Sequence, residues 1–135
     1  MSKNIILFFI AFIIFSIIDL IWLAYVGRPI YVYYLGDFLR ENPIWISAII
    51  FYIFFIIGMI VFVIRPAINQ LSYRYAVSYG SFYGFITYMT YELTNHAVIK
   101  AWPFGIVLID IVWGAILSAL VSVLSLFFYR RFCLN

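Results

Sequence analysis

Thr87-Tyr-Met-Thr-Tyr-Glu-Leu-Thr-Asn-His96 is the stretch on which the reading of this chain turns, because it is polar and lies inside a segment that is otherwise apolar. Apolar flanks run from Tyr75 to Phe85 and from Ala97 to Ile109, with one break at Lys100 to Pro103. A surface loop does not carry such flanks, so the decade reads as part of a spanning helix with a glutamate, Glu92, inside it.

The rest of the composition agrees. The 135 residues are 68% hydrophobic and 10% charged, and the mean hydropathy is +1.16, far outside the range of soluble domains. Crossing roughly 30 Å of hydrocarbon at about 1.5 Å per residue takes about 20 apolar residues. Four stretches of the chain meet that length, leaving no room for a soluble domain. The expectation is a single integral membrane domain over 1–135, all-α, a four-transmembrane-helix bundle with spans near 4–26, 44–64, 75–99 and 104–128.

Taken in order, Lys3 and Ile5 to Ile18 imitate a signal peptide, but no small-x-small cleavage pattern follows and the apolar run continues to Val26. Between Gly27 and Pro43, Ile30, Tyr31, Tyr34, Leu35, Phe38 and Leu39 recur at helical spacing against charged residues. This predicts a short interfacial helix between helices one and two, started by Pro29 and stopped at Asn42-Pro43, either an amphipathic linker or a lid over a binding site. The second span is scaffold-like, ended by Arg65-Pro66. In the third, Ala76, Gly80 and Gly84 form a small-xxx-small ridge for close helix approach, within the bundle or in a homodimer. At 100° per residue Gly84, Thr87, Tyr88, Tyr91, Glu92, Asn95 and His96 occupy one half of that helix, which must face inward.

Asp19-x-x-Trp22 in the first span and Asp110-x-x-Trp113 in the fourth echo each other. Measured from the helix midpoints, Asp19, Glu92 and Asp110 lie roughly 6, 8 and 9 Å toward the outer face, so one depth near the outer leaflet collects all three acids. Trp22, Tyr52, Tyr88, Tyr91 and Trp113 fall near that level. Insertion costs of about 2.5 to 3.5 kcal/mol per acid put three unpaired ones on the order of 7 to 10 kcal/mol. They must therefore be protonated, paired or wetted. Only His96, Arg28 and Lys100 are at a suitable depth to act as cationic partners, and Lys100 can snorkel away.

The ligand-binding candidates are Asp19, Trp22, Tyr52, Tyr88, Tyr91, Glu92, Asn95, Asp110 and Trp113. A structural role, with carboxyls accepting from Trp or Tyr donors on neighbouring helices, is the competing reading. Glu92 and His96 share a face, but no histidine-rich or Glu-x-x-His pattern accompanies them, so neither metal nor other cofactor is expected. His96 reads as a polar cap near the helix end. Cys133 stands alone, excluding a disulfide framework, and no nucleophile elbow or phosphate loop is present. The net charge of +3 comes from basic residues at segment ends, which suits lipid headgroups and supplies no face for nucleic acid. Lys3, Arg65, Arg74, Arg130 and Arg131 against Arg28, Arg40 and Lys100 favour both termini on the cytoplasmic side.

Tyr34-Leu-Gly36, Phe51-Tyr52, Gly58, Pro66, Gly84, Thr90-Tyr-Glu-Leu-Thr-Asn95, Trp102-Pro103, Asp110-x-x-Trp-Gly114 and Asp19-x-x-Trp-Leu23 together resemble the bacterial predicted-membrane-protein family of domain of unknown function 2177, over nearly the whole chain. The resemblance implies a small four-span protein of the bacterial inner membrane, with no assigned reaction. Glu92 stands where that family usually has aspartate, and His96 where it usually has an apolar residue. The functional expectation is an acidic, aromatic-lined cavity that binds or passes a proton, a cation or a small amphiphile. A lipid-modifying enzyme using the carboxylates as acid and base is the alternative, and a structural partner subunit the third possibility.

Overall fold

The apolar periodicity continues further than its breaks suggest, and the helices track it. The computed structural model describes residues 2–134, and among these every regular element is helical. Helix α1 is Lys3–Ile21, started by the Ser2 hydroxyl, which accepts from the Asn4 N–H. A π turn over Trp22–Val26 leads directly into α2, Gly27–Leu35, and a 3₁₀ turn over Gly36–Phe38. Helix α3, Trp45–Met59, passes through a second π turn, Ile60–Ile64, into α4, Arg65–Gln70. Helix α5 is Tyr73–Val98 and α6 is Phe104–Tyr129, which ends in a third π turn, Arg130–Leu134.

Two expected breaks are therefore absent. The segment after Val26 is helical, but it runs on from α1 and is not a separate interfacial helix; Lys3–Phe38 is one helical run. Likewise Arg65-Pro66 does not end the second helix, which continues to Gln70. The physical reason is the same in both places. A proline inside an α-helix forfeits one hydrogen bond and crowds the carbonyl four residues back. For Pro29 and Pro66 that carbonyl belongs to Tyr25 and Phe62, each inside a π turn. The wider turn, with Gly27 N–H bonded to the Trp22 carbonyl and Arg65 N–H to that of Ile60, has already displaced it. The second run stops instead at Leu71, whose φ of 48° makes a left-handed cap, with Leu71 N–H on Ile68 and Ser72 N–H on Ala67.

Three helical runs, Lys3–Phe38, Trp45–Gln70 and Phe104–Leu134, are long and apolar enough to cross a membrane. Helix α5 is as long, at 26 residues or about 39 Å. Its polar residues, Thr87, Thr90, Glu92, Thr94 and Asn95 among them, keep it outside that set.

The most extensive packing is of α5 on α6, and α6 also packs on α1, α1 on α3, and α5 on the Ile60–Ile64 turn. The small ridge of α5 is used inside the chain. It meets a second small ridge on α6, Gly114, Ser118 and Ser122, so closely that a Cβ on Gly84 would collide with the Gly114 carbonyl oxygen. The apolar core is built on Leu7, Ala11 and Phe15 of α1 together with Ile56, Met59, Leu117 and Val121. The outward stripes, such as Ile5, Phe9, Ile13 and Ile17 on α1 and Leu108, Val112, Ile116 and Leu120 on α6, are exposed and apolar, the pattern of a surface made for lipid.

Candidate functional site

Each of the three acids continues a buried stripe at four-residue spacing. On α1 the stripe is Leu7, Ala11, Phe15, Asp19; on α5 it is Ala76, Gly80, Gly84 and, two turns later, Glu92; on α6 it includes Asp110, Gly114, Ser118 and Ser122. Asp19 and Asp110 are 6% exposed and Glu92 is 0% exposed, so helix periodicity carries all three inside.

The register of α5 on α6 then brings two of them together. Gly80 faces Ser122, Gly84 faces Ser118 and Tyr88 faces Gly114. One turn further, the same antiparallel step sets Glu92 opposite Asp110, both of them buried. Glu92 Oε2 accepts from Trp102 Nε1 at 2.8 Å. Glu92 Oε1 is fully buried and has no donor. Trp102 lies in the turn between α5 and α6, where Ala101 at φ 60° reverses the chain and folds the indole back over the helix end. Trp102 is thus a hydrogen-bond donor to the central acid.

Asp110 accepts from the Tyr31 hydroxyl at 2.5 Å, and Tyr31 accepts in turn from Trp22 Nε1 at 3.0 Å. Nine residues apart on a regular helix, Trp22 and Tyr31 would point in opposite directions; the extra residue of the π turn rotates α2 by about 100° relative to α1 and puts both side chains on one side. Gly27 lies between them, and a Cβ there would sit 2.7 Å from Trp22 Nε1 and 2.9 Å from the Tyr31 ring. Sequence reading missed Tyr31 because Gly27-Arg-Pro29 looked like a helix boundary. Spacing alone gives no signal for it, because in phase with α1 Tyr31 would point away from Trp22.

Asp19 stands apart from the other two acids, accepting from the Tyr52 hydroxyl and from Trp113 Nε1 at 3.4 Å. The link between the halves is aromatic: the Trp22 and Trp113 rings stack with centroids 4.2 Å apart and planes 9° from parallel. The two Asp-x-x-Trp motifs thus cross. The tryptophan of each helix lies against that of the other, Trp113 donates to the first helix's acid, and Trp22 reaches the second helix's acid through Tyr31. The donors to the acids are indole and phenol groups, where His96, Arg28 and Lys100 were the expected cationic partners. His96 is exposed and rests on the Phe104 ring, 5.2 Å between centroids. Asn95 is half-buried beside Tyr91 and joins none of these bonds among the described residues.

Beside the network lies a cavity of about 330 Å³, lined by Phe51, Phe55, Thr87, Tyr88, Tyr91 and Asp110. Helix α5 touches α3 where Tyr83 lies over Gly58 and donates to the Phe55 carbonyl at 2.9 Å. Beyond that contact the cavity occupies the space between the two helices, with half-exposed Phe51 and Tyr91 at its rim. Its walls are aromatic and its one carboxyl is that of Asp110. Thr87 adds little polarity, since its hydroxyl donates to the Tyr83 and Gly84 carbonyls of its own helix. Among the described residues no three His, Cys, Asp or Glu side chains are grouped so as to hold a metal ion.

The model of the family described as "Predicted membrane protein (DUF2177)" matches residues 4–127. No curated protein and no solved structure matches the chain.

Proposed function

The chain belongs to the DUF2177 family of predicted membrane proteins, and from that premise we propose that it crosses the bacterial inner membrane four times and binds a small amphiphile in the cleft between α3 and α5. The head of the ligand meets Asp110 and its apolar body lies along Phe51, Phe55 and Tyr91. The observation that carries the reading is the cavity itself: aromatic walls that end on a buried carboxyl, at the small end of the roughly 300–1,000 Å³ usual for ligand sites.

A fourth crossing by α5 is supported by its length and by Val77, Phe82, Phe85, Ile86 and Leu93, which are exposed on its outer side while its one acid, Glu92, is buried on the face toward α6. Four crossings and the excess of Lys3, Arg65, Arg74, Arg130 and Arg131 over Arg28, Arg40 and Lys100 support cytoplasmic termini. Labelling with a membrane-impermeant maleimide tests this, using single cysteines at Ser72 or Lys100 in a Cys133→Ser background. Lys100→Cys reacts in intact cells and Ser72→Cys only after permeabilisation; the reverse or equal labelling overturns the topology.

Binding is favoured over lipid chemistry because the cavity presents one carboxyl, that of Asp110, where acid–base catalysis by paired carboxylates needs two facing the substrate. The test is equilibrium binding of decanol and of decylamine to the protein in lipid nanodiscs, with empty nanodiscs subtracted. At least one binds saturably, and Thr87→Phe, which places a ring in the cavity, abolishes it. Non-saturable uptake of both, or saturable binding indifferent to Thr87→Phe, rules the reading out.

A further inference from the structure

Glu92 presents an unmatched atom. Its Oε2 is held by Trp102, while Oε1 is sealed from solvent with no donor, and the register of α5 on α6 sets Glu92 opposite Asp110. An unpartnered carboxylate oxygen in such surroundings is strongly disfavoured, and two carboxylates placed together cannot both stay charged without a cation between them. A single proton held between the two groups gives Oε1 its partner and leaves the pair with one negative charge. Asp110 is at once a member of that pair and the polar end of the cavity.

We infer that the ligand head is a monocation of the alkylammonium type, and that it enters by exchanging with the one proton shared by Glu92 and Asp110. The inference rests on the amphiphile-binding reading above. The exchange is balanced in charge: before it the pair and its proton carry −1, and after it two carboxylates and one ammonium also carry −1, the proton leaving to water. No new net charge is buried, which is what a site in hydrocarbon requires. The ammonium then donates to Asp110, the carboxyl that lines the cavity. A neutral head can bind without releasing the proton.

The other titratable groups facing the pair do not take over this role. Tyr31 from the α2 side already donates to Asp110. Asp19 on α1 is held by Tyr52 of α3 and by Trp113. Tyr88 and Tyr91 of α5 are phenols, neutral at ordinary pH.

The experiment measures decylamine and decanol binding to the nanodisc-embedded protein from pH 6 to 8, where the amine stays charged. Release of one proton predicts decylamine affinity rising about tenfold per pH unit, and decanol affinity independent of pH. In Glu92→Gln the amide donates to Asp110 in place of the shared proton, so the decylamine slope flattens. Calorimetry of the unaltered protein in buffers of different ionisation enthalpy gives a second readout, one proton released per decylamine, that does not depend on any variant folding. Saturable decylamine binding without a pH slope and without proton release overturns the inference while leaving the cavity reading intact, as does decanol binding with no decylamine binding. Failure of both probes to bind overturns the reading beneath it.

Discussion

Trp22 and Trp113, ninety-one positions apart, stack face to face at 4.2 Å, and each sits at the end of an Asp-x-x-Trp motif on a helix that packs against the other. The stack ties the Asp19 half of the polar network to the Asp110 half. The consequences of that arrangement are open to direct measurement.

Removing one carboxyl of the Glu92–Asp110 pair strands donors. Asp110→Leu leaves the Tyr31 hydroxyl unmatched and Glu92→Leu leaves the Trp102 indole unmatched, each at a cost of about 1 to 3 kcal/mol. The double variant is expected to cost less than the sum, with a coupling of about 0.5 to 3 kcal/mol. Steric-trapping unfolding in bicelles measures this; strict additivity would show that the two groups do not interact.

Gly84→Ala drives its Cβ into a backbone oxygen of α6, whereas Gly80→Ala meets first the movable Ser122 hydroxyl at 2.8 Å. The first substitution is expected to destabilise by about 1 to 3 kcal/mol or more and the second by distinctly less. Gly36→Ala, where a Cβ meets nothing within 4 Å, serves as the neutral control. Thermal unfolding in detergent ranks the three, and a Gly84 variant as stable as the Gly36 control contradicts the packing described.

Gly27→Val drives a side chain between Trp22 and Tyr31. Loss of the Trp22-Tyr31-Asp110 connection should alter the near-ultraviolet circular dichroism in the same sense as Tyr31→Phe, with helix content unchanged. An unperturbed aromatic spectrum in Gly27→Val would mean that the π turn does not bring these rings together.

Trp102→Phe keeps the ring contacts of the α5–α6 turn but withdraws the donor from Glu92 Oε2. A loss of about 1 to 3 kcal/mol is expected, since both oxygens of a buried carboxyl then lack a protein N–H. Because the donor is removed and the acid kept, Trp102→Phe in a Glu92→Leu background should cost little. A full-sized loss in that background, read by the same unfolding measurement, would assign the indole a packing role alone.

Tyr52→Phe should weaken Asp19 less than Tyr52→Phe combined with Trp113→Phe, because either donor alone still satisfies one carboxyl oxygen. Unfolding free energies of the two variants decide it; equal losses would show that Trp113 Nε1 at 3.4 Å contributes nothing.

Composition and periodicity alone settle that this is a helical membrane protein and that Asp19, Glu92 and Asp110 face inward, because a four-residue spacing on a 3.6-residue helix keeps one face and hydrocarbon penalises any other placement of an acid. The same periodicity identifies the Ala76-Gly80-Gly84 ridge, and motif spacing picks out Trp22 and Trp113. What it cannot supply is partnership. Whether the ridge meets this chain or another copy depends on the matching Gly114-Ser118-Ser122 face being presented at the right height, which the length of the α5–α6 turn decides. That same register sets Glu92 opposite Asp110 and leaves Asp19 to Tyr52 and Trp113. Tyr31 enters the site only because a π turn shifts the helical phase, and a one-residue shift in hydrogen bonding leaves no mark in hydropathy.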